Sequence, residues 1–144
     1  MRSFSVRAFT LVEILIVVVL LGILAAIVDP LFSQSSNEAR AQTTYSELEK
    51  IRRHIEVYQA RNSGAFPTIQ EDNGTWGEIV GPTSEYLKSA PVNAWVGGSN
   101  AKVIHFAETP DESFHTDYGW IYNATTGEIW AGGFDANDKP LPRE

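Results

Sequence analysis

Glu13 occupies the most demanding chemical setting in the sequence. It is the one ionisable residue in FTLVEILIVVVLLGILAAIV, the run from Phe9 to Val28, in which Thr10 is the other polar exception. A carboxylate in hydrocarbon costs on the order of 2–3 kcal/mol or more on insertion scales. A plain anchor gains nothing from that cost, so the charge requires a cation. The other chemistry-bearing residues lie further along. His54, His105 and His115 stand among acids, but neither HxxxH nor HExxH spacing is present, and they read as solvated loop histidines. Asp135-Ala136-Asn137-Asp138 offers hard oxygen ligands without the glycine and terminal glutamate of an EF-hand loop. Ser/His/Asp orders, carboxylate dyads and phosphate loops do not stand out, and Gly97-Gly98 and Gly132-Gly133 lack phosphate-loop spacing. The absence of cysteine excludes thiol nucleophiles, zinc–thiolate sites and iron–sulfur clusters. Nothing positive supports an enzyme.

The apolar run must position Glu13. As a helix rising about 1.5 Å per residue it spans roughly 30 Å, the thickness of a bilayer's hydrocarbon core. A cleaved secretory signal has a shorter apolar region of about 7–15 residues and a small-residue cut site. Leu24-Ala25-Ala26 makes a poor one, and Glu13 would be misplaced. A signal-anchor accounts for the length but not for Glu13. A helix that first sits in a membrane and later packs against copies of itself accounts for both, with Glu13 paired to a cation on a neighbour.

Arg7-Ala8-Phe9-Thr10-Leu11-Val12-Glu13 resembles the class III signal of type IV pilins and type II secretion pseudopilins. The resemblance implies that a prepilin peptidase cuts between Ala8 and Phe9 and that the Phe9 amine is methylated. Ala8 stands where that family usually has glycine. Glu13 falls at the family's invariant glutamate, and Pro30 falls at its helix proline. The freed Phe9 amine would lie one helical turn from Glu13, and in a staggered filament Glu13 of one copy can meet the Phe9 nitrogen of the next. Breaking one partner of a buried pair costs roughly 3–5 kcal/mol, so such a pair sets register between subunits more than it adds stability. Arg2 and Arg7, with no acid before Glu13, place the N-terminus in the cytoplasm and everything after Val28 outside it. The net charge of −7 argues against a nucleic-acid partner. Major pseudopilins often bind calcium in a C-terminal loop. Asp135 and Asp138, with Asp111 or Asp117, are the acids that could do so here; otherwise no cofactor is expected.

The 144 residues allow an anchor and one domain. The expected divisions are a leader at 1–8, a transmembrane and filament-core helix at 9–30, an amphipathic helix at 31–62 and an extracytoplasmic head at 63–144. Gly22 and Pro30 are expected helix breaks. Proline removes a backbone donor, and the segment between them would soften when the subunit leaves lipid for a filament. Ala41, Tyr45, Leu48, Ile51, Ile55 and Tyr58 form one apolar stripe. Glu49–Arg53 and Glu47–Lys50 have helical pair spacing, and Asn62-Ser63-Gly64 ends the helix. Thr75–Glu78 has capping-box spacing, and Thr83 or Ser84 could cap a second short helix through Lys88. Tyr86-Leu87, Pro91 and Trp95 resemble a pseudopilin segment, with Asn93 where that family often has aspartate.

Strands are expected at Ala101–Ala107, Tyr118–Asn123 and Glu128–Ala131. Asn123-Ala124-Thr125, a glycosylation triplet, reads as a hairpin turn. Gly132–Glu144 reads as a tail wrapping the head or disordered. The fold class is α+β: a long N-terminal helix packed on a small antiparallel sheet, pilin-like. Its expected core sets Tyr45, Ile51, Ile55 and Tyr58 against Val103, Phe106, Trp120 and Trp130. The expected function is a structural subunit of a prepilin-type filament, a type II secretion pseudopilin acting in protein export. Its partners would be its own copies, other pseudopilins, prepilin peptidase and an inner-membrane assembly platform, with the head in the periplasm. The alternatives are a type IV pilus subunit and, from a different class, a membrane-anchored periplasmic binding domain.

Overall fold

The computed structural model describes residues 9–72 and 75–143, and of residues 29–31 the backbone conformation only. The expected leader, with Ala8, lies outside the described residues. The chain divides after Asn37 into two compact units, Met1–Asn37 and Glu38–Glu144. Helix α1, Leu11–Arg61, contributes to both.

In the first unit α1 is apolar on every side. Every large apolar side chain from Leu11 to Val28 is half exposed or more. A helix without a solvated face belongs in a membrane or among other helices, and α1 is long and apolar enough to cross a bilayer. Its backbone stays helical through Gly22 and at Pro30. The expected softening there concerns the filament.

In the second unit α1 has one buried stripe. Leu48, Ile51 and Ile55 are buried, while Ala41 and Tyr58 pack at the edge. Glu47 pairs with Lys50 as its spacing predicts; Glu49 meets Arg52, three residues on, rather than Arg53. The helix ends where expected. Ser63 and Gly64 turn left-handed, and the Gly64 N–H donates to Gln59 O at 2.9 Å.

The stripe shares one core with a three-stranded sheet of β1 (Ile104–Phe106), β2 (Trp120–Tyr122) and β3 (Ile129–Ala131), in that order. β2 and β3 are antiparallel, joined by the Asn123–Gly127 turn. There the Asn123 carboxamide accepts from the Thr125 and Thr126 N–H groups. β1 and β2 are parallel, Ile104 opposite Trp120, so the sheet is mixed rather than antiparallel. The cause is connection length. Residues 107–119 separate the two strands, and a connection of a dozen or more residues permits the crossover that a hairpin forbids.

Trp120 lies in the core and Phe106 packs against it as expected, but two other strand positions differ. Ile129 and Ala131 point to the core and Trp130 is half-buried; Ile104 is buried and Val103 is not. Adjacent strand residues point to opposite faces, so a one-residue misreading exchanges inside for outside. Tyr45 is 40% exposed and takes no part in the core. Trp76, Ile79, Trp95 and Phe134 complete it instead.

The two short helices resolve differently as well. Gly77–Ile79 is a single 3-10 turn without a side-chain cap, because Glu78 accepts from the Thr68 N–H at 2.9 Å. The second is absent. Leu87 N donates to Ile79 O at 2.9 Å and Gly81 N to Leu87 O at 3.0 Å, closing a loop on a parallel bridge in which Ser84 Oγ accepts from the Tyr86 N–H and donates to Glu78 O. Of the two readings of the C-terminal tail, the one packed on the head holds for its described residues. Phe134 is buried, Leu141 N donates to Gly133 O at 2.9 Å, and Phe134 bridges Pro140.

Candidate functional site

The first turn of α1 carries the site. Thr10 precedes the helix and Glu13 is its third residue. The Glu13 N–H donates to Thr10 Oγ1 at 3.2 Å. Thr10 answers with two bonds to Glu13 Oε2, from its N–H at 3.3 Å and its hydroxyl at 3.2 Å. This is a reciprocal capping box. A carboxylate in the first turn also faces the positive end of the helix dipole. The cap keeps Glu13 within the turn next to Phe9, the residue expected to become the mature N-terminus. Glu13 thus has a hydrogen-bond partner in Thr10 on its own chain, which the expectation of a cation did not include. The signal was present: Thr10-x-x-Glu13 is capping-box spacing directly before an apolar run. Phe9 is exposed, and Gly22 and Pro30 lie well along the same helix.

The C-terminal acids behave differently. Asp111 is nearly buried, its side chain 5% exposed. Its Oδ1 accepts from the Tyr118 hydroxyl at 2.8 Å and lies 3.0 Å from His115 Nε2, while Oδ2 accepts from the Gly133 N–H at 2.7 Å. Asp135 Oδ1 accepts from the N–H groups of Asn137 and Lys139, bonds that hold its carboxyl below the usual range. Asp138 is clasped by Arg52. Among the described residues no group of three or more histidine, aspartate or glutamate side chains is arranged to hold a metal ion. Calcium needs six to eight oxygens free to turn toward it. Asp111 and Asp138 turn both oxygens to hydrogen-bond donors, and Asp135 turns Oδ1 to two.

The histidines are not simply solvated. His115 is half-buried, and its Nδ1 is buried without a partner among the described residues. His105 stacks on Tyr118, centroids 4.5 Å apart, with Nδ1 3.1 Å from Glu71 Oε1. Burial first, then the nearby Lys50 and Arg53, lowers the pKa of His54. Burial and the bond to Asp111 push the Tyr118 hydroxyl well above its usual range. These clusters join loops rather than converge on an open cleft.

The polar residue at the centre of the head is Asn93, marked in the sequence only as standing where the resembling family often has aspartate. Asn93 is fully buried. Its Nδ2 donates to Gly119 O at 2.7 Å and Gly132 O at 2.9 Å. Its Oδ1 accepts from the N–H groups of Trp95 (2.9 Å) and Val96 (3.0 Å) and from the Thr44 hydroxyl (3.2 Å). Leu87, Pro91 and Trp95, the neighbouring residues singled out by resemblance, are all in the core, and Pro91 O accepts from the Trp120 indole at 3.2 Å.

Residues 4–28 match the family described as the prokaryotic N-terminal methylation motif. The chain is similar to the type II secretion system core protein G of Pseudomonas aeruginosa, 33% identical over 97 residues, covering 60% of this chain and 66% of the relative. It is similar to the protein of the same name from Klebsiella michiganensis, 30% identical over 107 residues, covering 67% and 73%. It is also similar to the type IV major alpha-pilin of Moraxella bovis, 29% identical over 85 residues, covering 59% and 52%. No solved structure matches.

Proposed function

We propose that this chain, which belongs to the type II secretion system core protein G family, is a pseudopilin: a structural subunit of a prepilin-type filament that acts in protein export. Prepilin peptidase cuts it between Ala8 and Phe9, and the new Phe9 amine is methylated. The apolar half of α1 holds it in the inner membrane, N-terminus in the cytoplasm and head in the periplasm. An inner-membrane assembly platform then draws it into a fibre with its own copies and other pseudopilins. Subunits added at the base push exported proteins outward, so the work is mechanical and no catalytic residues are required.

One observation carries this reading. A helix exposed in apolar side chains all round keeps a single carboxylate, fixed at its first turn beside the residue expected to become the N-terminus. A membrane anchor needs the apolar surface but not the acid. A fibre uses both, since the surface packs against other helices and the acid meets the amine of an adjoining copy. The test is the mass of the mature N-terminus together with the fibre yield of Glu13→Gln. A methylated Phe9 and loss of sheared fibres are expected. An intact Met1, or a cut after Ala26, would favour a tethered binding domain. The resemblance to the Moraxella pilin keeps a type IV pilus subunit as the second reading. Loss of surface fibres on deletion of the chain, with export unaffected, would favour it.

A further inference from the structure

The acidic turn at residues 135–138 already has a cation. Arg52 lies on α1, 86 residues before Asp138, and grips both oxygens of that carboxylate: Nη1 donates to Oδ2 at 2.6 Å and Nη2 to Oδ1 at 2.9 Å. Its remaining donors reach β3, Nε and Nη2 both bonding Ile129 O, at 3.2 and 3.0 Å. Glu49 Oε1, at 3.4 Å, completes the set. A guanidinium fork matched to a carboxylate is the strong form of ion pair. This one is largely shielded, with the side chains 29% and 22% exposed.

The loop it grips would not hold its shape from propensity alone. Asp138 sits in the left-handed region at φ 56. Its N–H donates to Asp135 O at 3.0 Å, and the Asp135 N–H donates to Lys139 O at 2.9 Å. Residues 133–141 thus form a closed loop, pinned at Gly133 by Asp111 and at Asp138 by Arg52. The chain has no cysteine to staple this loop. A divalent ion placed here would have to expel the Arg52 charge and strip the donors from Asp111 and Asp135.

We infer that the Arg52 guanidinium is the built-in cation that closes the C-terminal loop, so that the head folds, and the subunit polymerises, without a divalent metal. The second half of that statement rests on the pseudopilin reading above; the first does not.

The test is hydrogen exchange of the peptide covering residues 133–141, in the full-length subunit in detergent micelles. It is run with chelator and with calcium at roughly 5 mM, above the affinity range of extracellular calcium modules. Calcium and chelator should give the same exchange. Arg52→Gln and Asp138→Asn should each speed exchange of the Asp135 and Leu141 amides roughly ten- to hundredfold, the range set by loss of charge-assisted hydrogen bonds. The double variant should be no faster than either single one. Arg52→Lys, which keeps the charge but not the fork, should fall between. Unchanged tryptophan emission in Asp138→Asn separates an opened loop from a misfolded head. Slower exchange with calcium than with chelator in the unsubstituted subunit would overturn the inference, as would single variants that exchange like it. Exchange needs no fibre, so a subunit that never polymerises sinks the pseudopilin reading and leaves the clamp standing. Fibre yield that drops with chelator sinks the second half alone.

Discussion

Replacing Asn93 by alanine should cost the head more than any other single polar truncation, and the structure gives the size. Five hydrogen bonds converge on this side chain, but they are not equivalent. Trp95 N keeps a second acceptor in Thr44 Oγ1 at 2.9 Å, and Gly119 O keeps the Gly132 N–H at 2.8 Å. Gly132 O and the Val96 N–H lose the partners described for them; the Thr44 hydroxyl also loses its acceptor, but it can rotate toward an entering water. Each buried orphan costs roughly 1–3 kcal/mol, which makes the loss about 2–5 kcal/mol once a water entering the space is allowed for. For a unit of about this size, 1 kcal/mol moves the melting temperature roughly 4–5 °C, so a drop of about 10–20 °C is expected. Thr44→Val is the control. It is equally buried, but Trp95 N falls back on Asn93, and the cost should stay within about 1.5 kcal/mol. All four tryptophans lie in the head, so their fluorescence on heating the full chain in detergent reports this unit alone. A loss under about 1 kcal/mol for Asn93→Ala, or an equal loss for the two variants, would refute the bookkeeping.

Three further outcomes follow from the geometry. Thr10→Val removes the cap hydroxyl and should weaken the first turn by about 1 kcal/mol, lowering fibre yield while Phe9 is still cleaved and methylated; normal yield would show that the cap is dispensable. Head stability should be flat near neutral pH and fall in two stages on acidification. Because burial lowers the folded pKa of His54, its contribution is lost as pH drops below the ordinary histidine value near 6.5, and His54→Gln should abolish this stage. Backbone bonds from Thr68 to Glu78, and from Lys139 and Asn137 to Asp135, lower those pKa values, so their contribution is present above about pH 4 and lost below it; melts across pH that rise on acidification would contradict both signs.

The helix was the legible part of this chain, because periodicity is a local property. The apolar run and the Leu48, Ile51, Ile55 stripe can be read from spacing alone. Three-residue strands are too short for a period of two to declare its phase, and Trp130, the largest residue in β3, drew the reading to the wrong face. Parallel pairing of β1 with β2 depends on where a long loop returns, which no window of sequence contains. The same holds for Arg52 and Asp138, 86 positions apart, and for Asn93, whose partners come from α1, from its own loop and from Gly119 and Gly132, side by side at one end of β2 and β3. Asp111, His115 and Tyr118 are close in sequence, but only the Gly133 N–H reveals what their cluster is for. Glu13 is the instructive case. Its need for a cation is legible in the apolar run, and its hydrogen bonds to Thr10 follow from the Thr10-x-x-Glu13 spacing at the helix start.

The capping box and the proposed pair with an adjoining copy do not compete. Both of Thr10's bonds to the carboxylate fall on Oε2. A carboxylate has about four lone-pair sites, and among the described residues Oε1 is the oxygen left for a cation. The cap therefore orients the acid without neutralising it. In lipid the capped carboxylate stays in the first turn, at the end of the apolar run, where the cost of its charge is lowest. In the proposed fibre, where apolar neighbours would exclude water, Oε1 would be an unfilled acceptor at the helix end, and a copy placed at the right stagger would present its Phe9 amine to it. A wrong stagger leaves the charge buried and unpaired, at a penalty of roughly 3–5 kcal/mol per subunit. Register then follows from the cost of error rather than from the strength of the bond, and the threonine matters because it fixes which oxygen waits.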